Sequence, residues 1–134
     1  MLLPTGATVA VADGEKLILF QNTGHEGIPQ LTVSPSAGVD SDHPGADPGH
    51  HSSSANPDHG QEGEDGFSVG VADLLNRRVL EGKIADLVVI APPRALGELR
   101  KHYSEQLSQV LRGEIAKELT GHTVHDIEKA IEAA

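Results

Sequence analysis

The chain contains no cysteine and no tryptophan, and aromatic residues make up 2% of it. The lack of cysteine excludes disulfides, thiolate zinc sites and a cysteine nucleophile. With one tyrosine and two phenylalanines, the core has to be aliphatic. Exposed aromatic platforms, on which single-stranded bases stack, are missing. Positive charge is scarce too: 10 Lys and Arg stand against 20 Asp and Glu, a net charge of −10. Such a chain is repelled by phosphate backbones and anionic membrane surfaces, so general nucleic-acid binding is disfavoured. No apolar run approaches the length that spans a bilayer. The opening MLLPTGATVAVADGEK has no basic leader, so no signal peptide is expected and the cytoplasm is the expected compartment.

What is present suits a single domain over residues 1–134. Residues 7–34 read as strands. Val9 and Val11 alternate with small residues in ATVAVAD, Asp13-Gly14 is a turn signal, and KLILFQN follows as the second arm of a hairpin. QLTVS reads as a third, shorter strand. Residues 35–65 are Pro, Gly, Ser, Asp and His with almost no large apolar side chain, and no Lys or Arg occurs between Lys16 and Arg77. A long polar loop is expected there, because such a stretch buries too little to offset the entropy of ordering it.

Periodic structure returns after residue 65. Phe67, Val71, Leu74, Leu75 and Val79 fall at helical spacing, with Asp65 placed to cap the start and Gly82 near the end. Leu87 to Ile90 is a continuous apolar run closed by Pro92-Pro93, which predicts a strand buried on both faces. RALGELRKHYSEQL reads as one helix with Leu96, Leu99 and Tyr103 on a shared face. TVHDIEKAIEAA reads as a terminal helix capped by Thr123, with Asp126 three residues on and Val124, Ile127 and Ile131 on one face. VLRGEIAKELTGH fits a helix or a strand, since Gly113 weakens the helical reading. The expected core is Val9, Val11, Ile18, Phe20, Val71, Leu75, Leu87, Val89, Leu96, Leu99 and Ile127. The order is an α/β domain with a mixed sheet, an antiparallel hairpin beside parallel strands with flanking helices.

Four stretches carry a resemblance. TVAVADGEKLILFQN, HHSSSANPD, DLVVIAPPRALGELRKHY and EIAKELTGHTVHDIEKAI together resemble the bacterial host attachment protein family. Its members are described as required for attachment to host cells. That family is similar in turn to the middle domain of eukaryotic and archaeal class-1 release factors and of Pelota. The resemblance implies an RNase H-like fold, order β-β-β-α-β-α-β-α, with residues 112–118 as the last strand. In release factors the loop between the third strand and the first helix carries a Gly-Gly-Gln motif that promotes peptidyl-tRNA hydrolysis. Here that position holds GHHSSSANPDH, and the nearest fragment is Gly60-Gln61. The position is shared and the known chemistry is not.

Several chemistries compete for the polar residues. His43, Asp47, His50, His51, Asp58 and His59 are metal-ligand types, but no helical H-E-x-x-H or similar spacing is present, so neither a metal nor a cofactor is expected. Ser52, Ser53 and Ser54 follow His51 without a nucleophile elbow. Two-metal phosphodiester chemistry needs carboxylates at several strand ends; Asp13 qualifies, but the buried strand ends in Ala91-Pro92-Pro93, so Asp13 reads as a turn residue. A helix starting at Pro93 attracts anions, and Arg94, Arg100 and Lys101 form a small basic cluster on it. Surface ion pairing is the plainer account of those three.

The first functional reading is a non-enzymatic interaction protein that contacts a macromolecular partner, the ribosome or an RNA. Its expected contacts are Arg94, Arg100 and Lys101, with His50, His51, Ser52, Ser53, Asn56 and Asp58 as a recognition loop. The alternative is a hydrolase of an ester or phosphodiester using the loop residues His50, His51 and Ser52. A third reading is a stress- or pH-responsive protein whose His-rich loop changes charge between about pH 5 and 7.

Overall fold

A computed structural model of the chain describes residues 1–34 and 59–134, and at 59–62 and 64 the backbone alone. Five strands form one sheet: β1 (Thr8–Ala12), β2 (Leu17–Asn22), β3 (Leu31–Val33), β4 (Leu87–Ala91) and β5 (Leu111–Ala116). The helices are α1 (His59–Leu80), α2 (Pro93–Arg100), α3 (Glu105–Val110) and α4 (Val124–Ala133). The sheet order is β3-β2-β1-β4-β5. β1 pairs antiparallel with β2 and parallel with β4, and β4 pairs parallel with β5. The expected mixed α/β architecture is the observed one.

Strand alternation sorts the core into two layers. Ala10, Leu19, Leu87, Val89 and Ala91 pack with Val71, Ala72 and Leu75 of α1, Leu96 and Leu99 of α2 and Leu107 of α3. Val9, Val11, Phe20, Val88, Ile90 and Ile115 pack on the other side with Ile127 and Ile131 of α4. β4 is therefore buried along its whole length, as an unbroken apolar run requires. Ala10 of β1 faces the three-helix side, where α1 lies over the sheet. Of the expected core residues, all are buried except Ile18, which is half-buried at the rim of the second layer.

Three expectations need correction. Asp65 does not cap α1. The helix already runs from His59, so residues 59–65 of the expected polar loop are helical, while 35–58 lie outside the described residues. The buried stripe that begins at Ser68 and Val71 anchors the helix, and Gly82 at φ +78° closes it, with Lys83 N–H returning to the Arg78 carbonyl at 2.9 Å. The single helix expected over RALGELRKHYSEQL is two: α2 ends at Arg100, and α3 restarts with Ser104 as N-cap, accepting the Leu107 N–H at 3.0 Å. The ambiguous segment is a strand, β5, reached one residue before the expected 112 and ending at Ala116. Thr123 caps α4 as expected, accepting the Asp126 N–H at 3.1 Å. Among the described residues no helix is long and apolar enough to cross a membrane.

Candidate functional site

Parallel strands leave their carboxyl ends open to ligands where their connections turn away. Here the ends of β1 and β4 open into a cleft of about 390 Å³, lined by Asp13, Gly14, Glu15, Asp65, Ser68, Pro92, Arg94, Ala95 and Glu118. Four elements build it: the β1–β2 turn, the inner face of α1, the start of α2 and the segment after β5.

Asp13 is the best-held of these groups. Its Oδ1 accepts the N–H groups of Glu15 and Lys16, both at 2.6 Å, which forms the β1–β2 turn, and its Oδ2 accepts the Thr120 hydroxyl at 2.7 Å. Partial burial works against the charge, but these hydrogen bonds and the nearby Lys16 outweigh it, so the carboxyl is held below its ordinary range. The turn role expected for Asp13 is observed, with the tie to Thr120 in addition.

α2 begins without a side-chain cap: Pro92 is the N-cap and Pro93 opens the first turn. Pro93 has no N–H, and the first intrahelical bond is Leu96 N–H to the Pro92 carbonyl at 2.9 Å. The N–H groups of Arg94 and Ala95 are therefore the uncapped donors of the turn, facing the cleft. Arg94 is exposed and makes no ion pair among the described residues. Ser68, on α1, is 3% exposed.

The expected basic cluster is split. Arg94 stands at the start of α2 and Arg100 at its end, roughly 9 Å apart along the axis. Arg100 pairs with Glu114 at 2.9 Å and Lys101 with Glu98 at 2.7 Å, the surface pairing weighed against a binding role. Both cations remain exposed. His50, His51, Ser52, Ser53, Asn56 and Asp58 lie outside the described residues, and so do the other metal-type residues His43 and Asp47. Gly60 and Gln61, the nearest fragment of the release-factor motif, lie at the start of α1. Among the described residues no three His, Asp or Glu are arranged to hold a metal ion.

A second charged region was not anticipated. Arg77 and Arg78 close α1, Lys83 sits in the turn after it, Arg100 and Lys101 close α2, and Arg112 opens β5. Asn76 binds these ends together, donating to the His102 carbonyl at 2.8 Å and accepting the Ser104 N–H at 2.9 Å. Arg112 reaches Asp86, just before β4, at 2.7 Å. Six of the 10 Lys and Arg in the chain thus lie at the carboxyl ends of α1 and α2, in the turn after α1 and at the start of β5, with the Lys101 ammonium also within electrostatic reach of Asp65 in the cleft. Leu80, 74% exposed, lies among them. The signal in the sequence was indirect: basic residues at helix carboxyl ends also suit the helix dipole, and only the topology brings two such ends together.

The domain is a small α/β unit with a carboxylate-lined cleft at the carboxyl ends of its parallel strands and a separate group of Lys and Arg, of which Lys83, Arg100, Lys101 and Arg112 are paired with Glu81, Glu114, Glu98 and Asp86. The sequence narrows it: residues 6–131 match bacterial archaeo-eukaryotic release factor family 12, and the chain belongs to that family. A shorter stretch is similar to the uncharacterized protein RP470 of Rickettsia prowazekii (strain Madrid E), 36% identical over 51 residues. That match covers 38% of this chain and 34% of the relative, so it spans about a third of that protein's length.

Proposed function

We propose that the chain is a non-enzymatic interaction domain that works with the translation machinery and contacts ribosomal or other RNA through its basic end. The observation that carries this reading is the gathering of Arg77, Arg78, Lys83, Arg100, Lys101 and Arg112 on a chain of net charge −10. An acidic protein that concentrates its cations on one face meets a phosphate backbone in one orientation and is repelled in the others. Family membership supports the same reading. The sheet order, with β2 antiparallel beside β1, supports an RNase H-like assignment of the fold.

The loop residues His50, His51, Ser52, Ser53, Asn56 and Asp58 supply a second contact in this reading, in the position where release factors carry their Gly-Gly-Gln motif. The domain acts in the cytoplasm, and an attachment phenotype of the kind that names the host attachment proteins follows downstream of translation. The test is co-sedimentation of the chain with ribosomes from its own lysate across a salt series. Binding that weakens with salt is expected, and each phosphate-binding cation removed by mutation should flatten the slope of log K by about 0.7–0.9.

A further inference from the structure

The cleft at the carboxyl ends of β1 and β4 takes no part in the basic-end contact, and its chemistry is two-sided. One wall offers donors: the uncapped N–H groups of Arg94 and Ala95 and the Arg94 guanidinium. The other offers the carboxylates of Glu15 and Glu118, with the negative charge of Asp13 and Asp65, both already held by partners, beside them. Ser68 adds an independent observation. It is 3% exposed and lines the cleft, and its hydroxyl has no hydrogen-bond partner among the described residues. Among those residues every fully buried side-chain N or O has a partner, so the Ser68 hydroxyl is the part of that side chain left open to the cleft.

A bare anion suits the donor wall but is repelled by four carboxylates within the same cleft. A bare cation meets Arg94. A ligand that brings both signs satisfies both walls. Helix amino ends with a nearby hydroxyl and guanidinium are matched to phosphate oxygens. Mg²⁺ keeps several waters and binds through one or two carboxylates plus the phosphate it accompanies, so it needs no three-carboxylate cage. We infer that the cleft binds a terminal phosphate monoester together with Mg²⁺, the phosphate on Ser68, Arg94 and the α2 amino end, and the ion on the acidic wall. Free nucleotides and the phosphorylated ends of RNA share this group.

The test is an amide NMR titration of the full chain with AMP and with a 5′-phosphorylated trinucleotide, each with and without MgCl₂. The expected result is a saturable shift of Ser68, Arg94 and Ala95 when phosphate compound and Mg²⁺ are present together. The tighter of the two compounds identifies the source of the phosphate. Ser68→Ala and Arg94→Gln should each weaken that binding by about tenfold, with the thermal midpoint kept. Glu118→Gln, on an exposed side chain, should raise the Mg²⁺ concentration required. No cleft shift at about 10 mM ligand, equal binding in EDTA, or shifts confined to Arg100 and Arg112 would overturn the inference. Ribosome co-sedimentation reads the Lys and Arg group and the titration reads Ser68, Arg94 and Ala95, which are not part of that group, so either proposal can fail while the other stands.

Discussion

Thr120 donates its hydroxyl hydrogen to Asp13 Oδ2 at 2.7 Å across 107 positions of sequence. The bond ties the turn after β1 to the segment after β5 and fixes one edge of the cleft. Thr120→Val should cost about 1 kcal/mol at neutral pH. The pH dependence has a definite sign. Asp13 is held below its ordinary range, so its contribution is complete above the unfolded value, about 3.9, and is lost as pH falls through the lower folded value. Urea titrations of parent and variant should therefore converge towards pH 2. A difference that stays constant with pH would exclude the carboxylate as the partner that matters.

Tyr103 is the chain's one tyrosine, which makes its titration readable by absorbance. Burial, then the charge of Glu114 and the hydrogen bond to it at 3.3 Å, push its pKa well above the ordinary value of 10. The phenol stays neutral in the folded chain while the unfolded chain ionises near pH 10, so stability is full below that pH and declines above it. Tyrosinate absorbance should appear together with loss of helical circular dichroism. A titration near pH 10 in a chain that remains folded would place Tyr103 on the surface.

Asn22, 1% exposed, supports the first 30 residues. Its Nδ2 donates to the carbonyls of Leu3 and Pro4 at 2.9 and 3.2 Å, and its Oδ1 accepts the N–H groups of Gly24 and Gln30 at 2.9 and 3.0 Å. Gly24 sits so close to the Ile28 carbonyl that a Cβ would lie 2.6 Å from it, and the loop has no slack to re-form around a smaller side chain. Asn22→Ala should lose about 3 kcal/mol or more, because up to four backbone groups are left unpaired. Chemical denaturation showing a loss under about 1 kcal/mol would mean that water replaces the amide.

Val89, 1% exposed in the central strand, tests the sheet itself. Val89→Asp should abolish the cooperative thermal transition, since an unpaired charge in the core exceeds the margin of a small domain. Val89→Ala should retain the transition at a cost of about 1–3 kcal/mol. A parent-like transition in the aspartate variant would refute the placement of β4.

Much of this fold was written in the hydrophobic pattern. Leu87–Ile90 between a turn and two prolines allowed one reading, a doubly buried strand, and Thr123 with Asp126 marked the start of α4. Other features were illegible for physical reasons. Gly113 spoiled a helix without announcing a strand, and pairing with β4 decided it. The α2–α3 break turns on Ser104 choosing to cap instead of continuing, which depends on Asn76 holding its N–H from α1. The start of α1 at His59 had no apolar periodicity to show it. Arg94 stood out in the sequence through its place at a helix start, and the structure puts it beside the cleft. Ser68, Glu15 and Glu118 were missed, because their meeting is a product of topology and no local spacing encodes it.

The basic end is the central claim, and one measurement addresses it most directly. Arg77, Arg100, Lys101 and Arg112 are all exposed, and the ion pairs that Arg100, Lys101 and Arg112 make are surface pairs worth little to stability. Changing all four to Gln should therefore leave the domain folded. Ribosome co-sedimentation of that variant should fall by at least tenfold at low salt and lose most of its salt dependence. A folded variant that sediments as the parent does, with the same salt slope, would contradict the account.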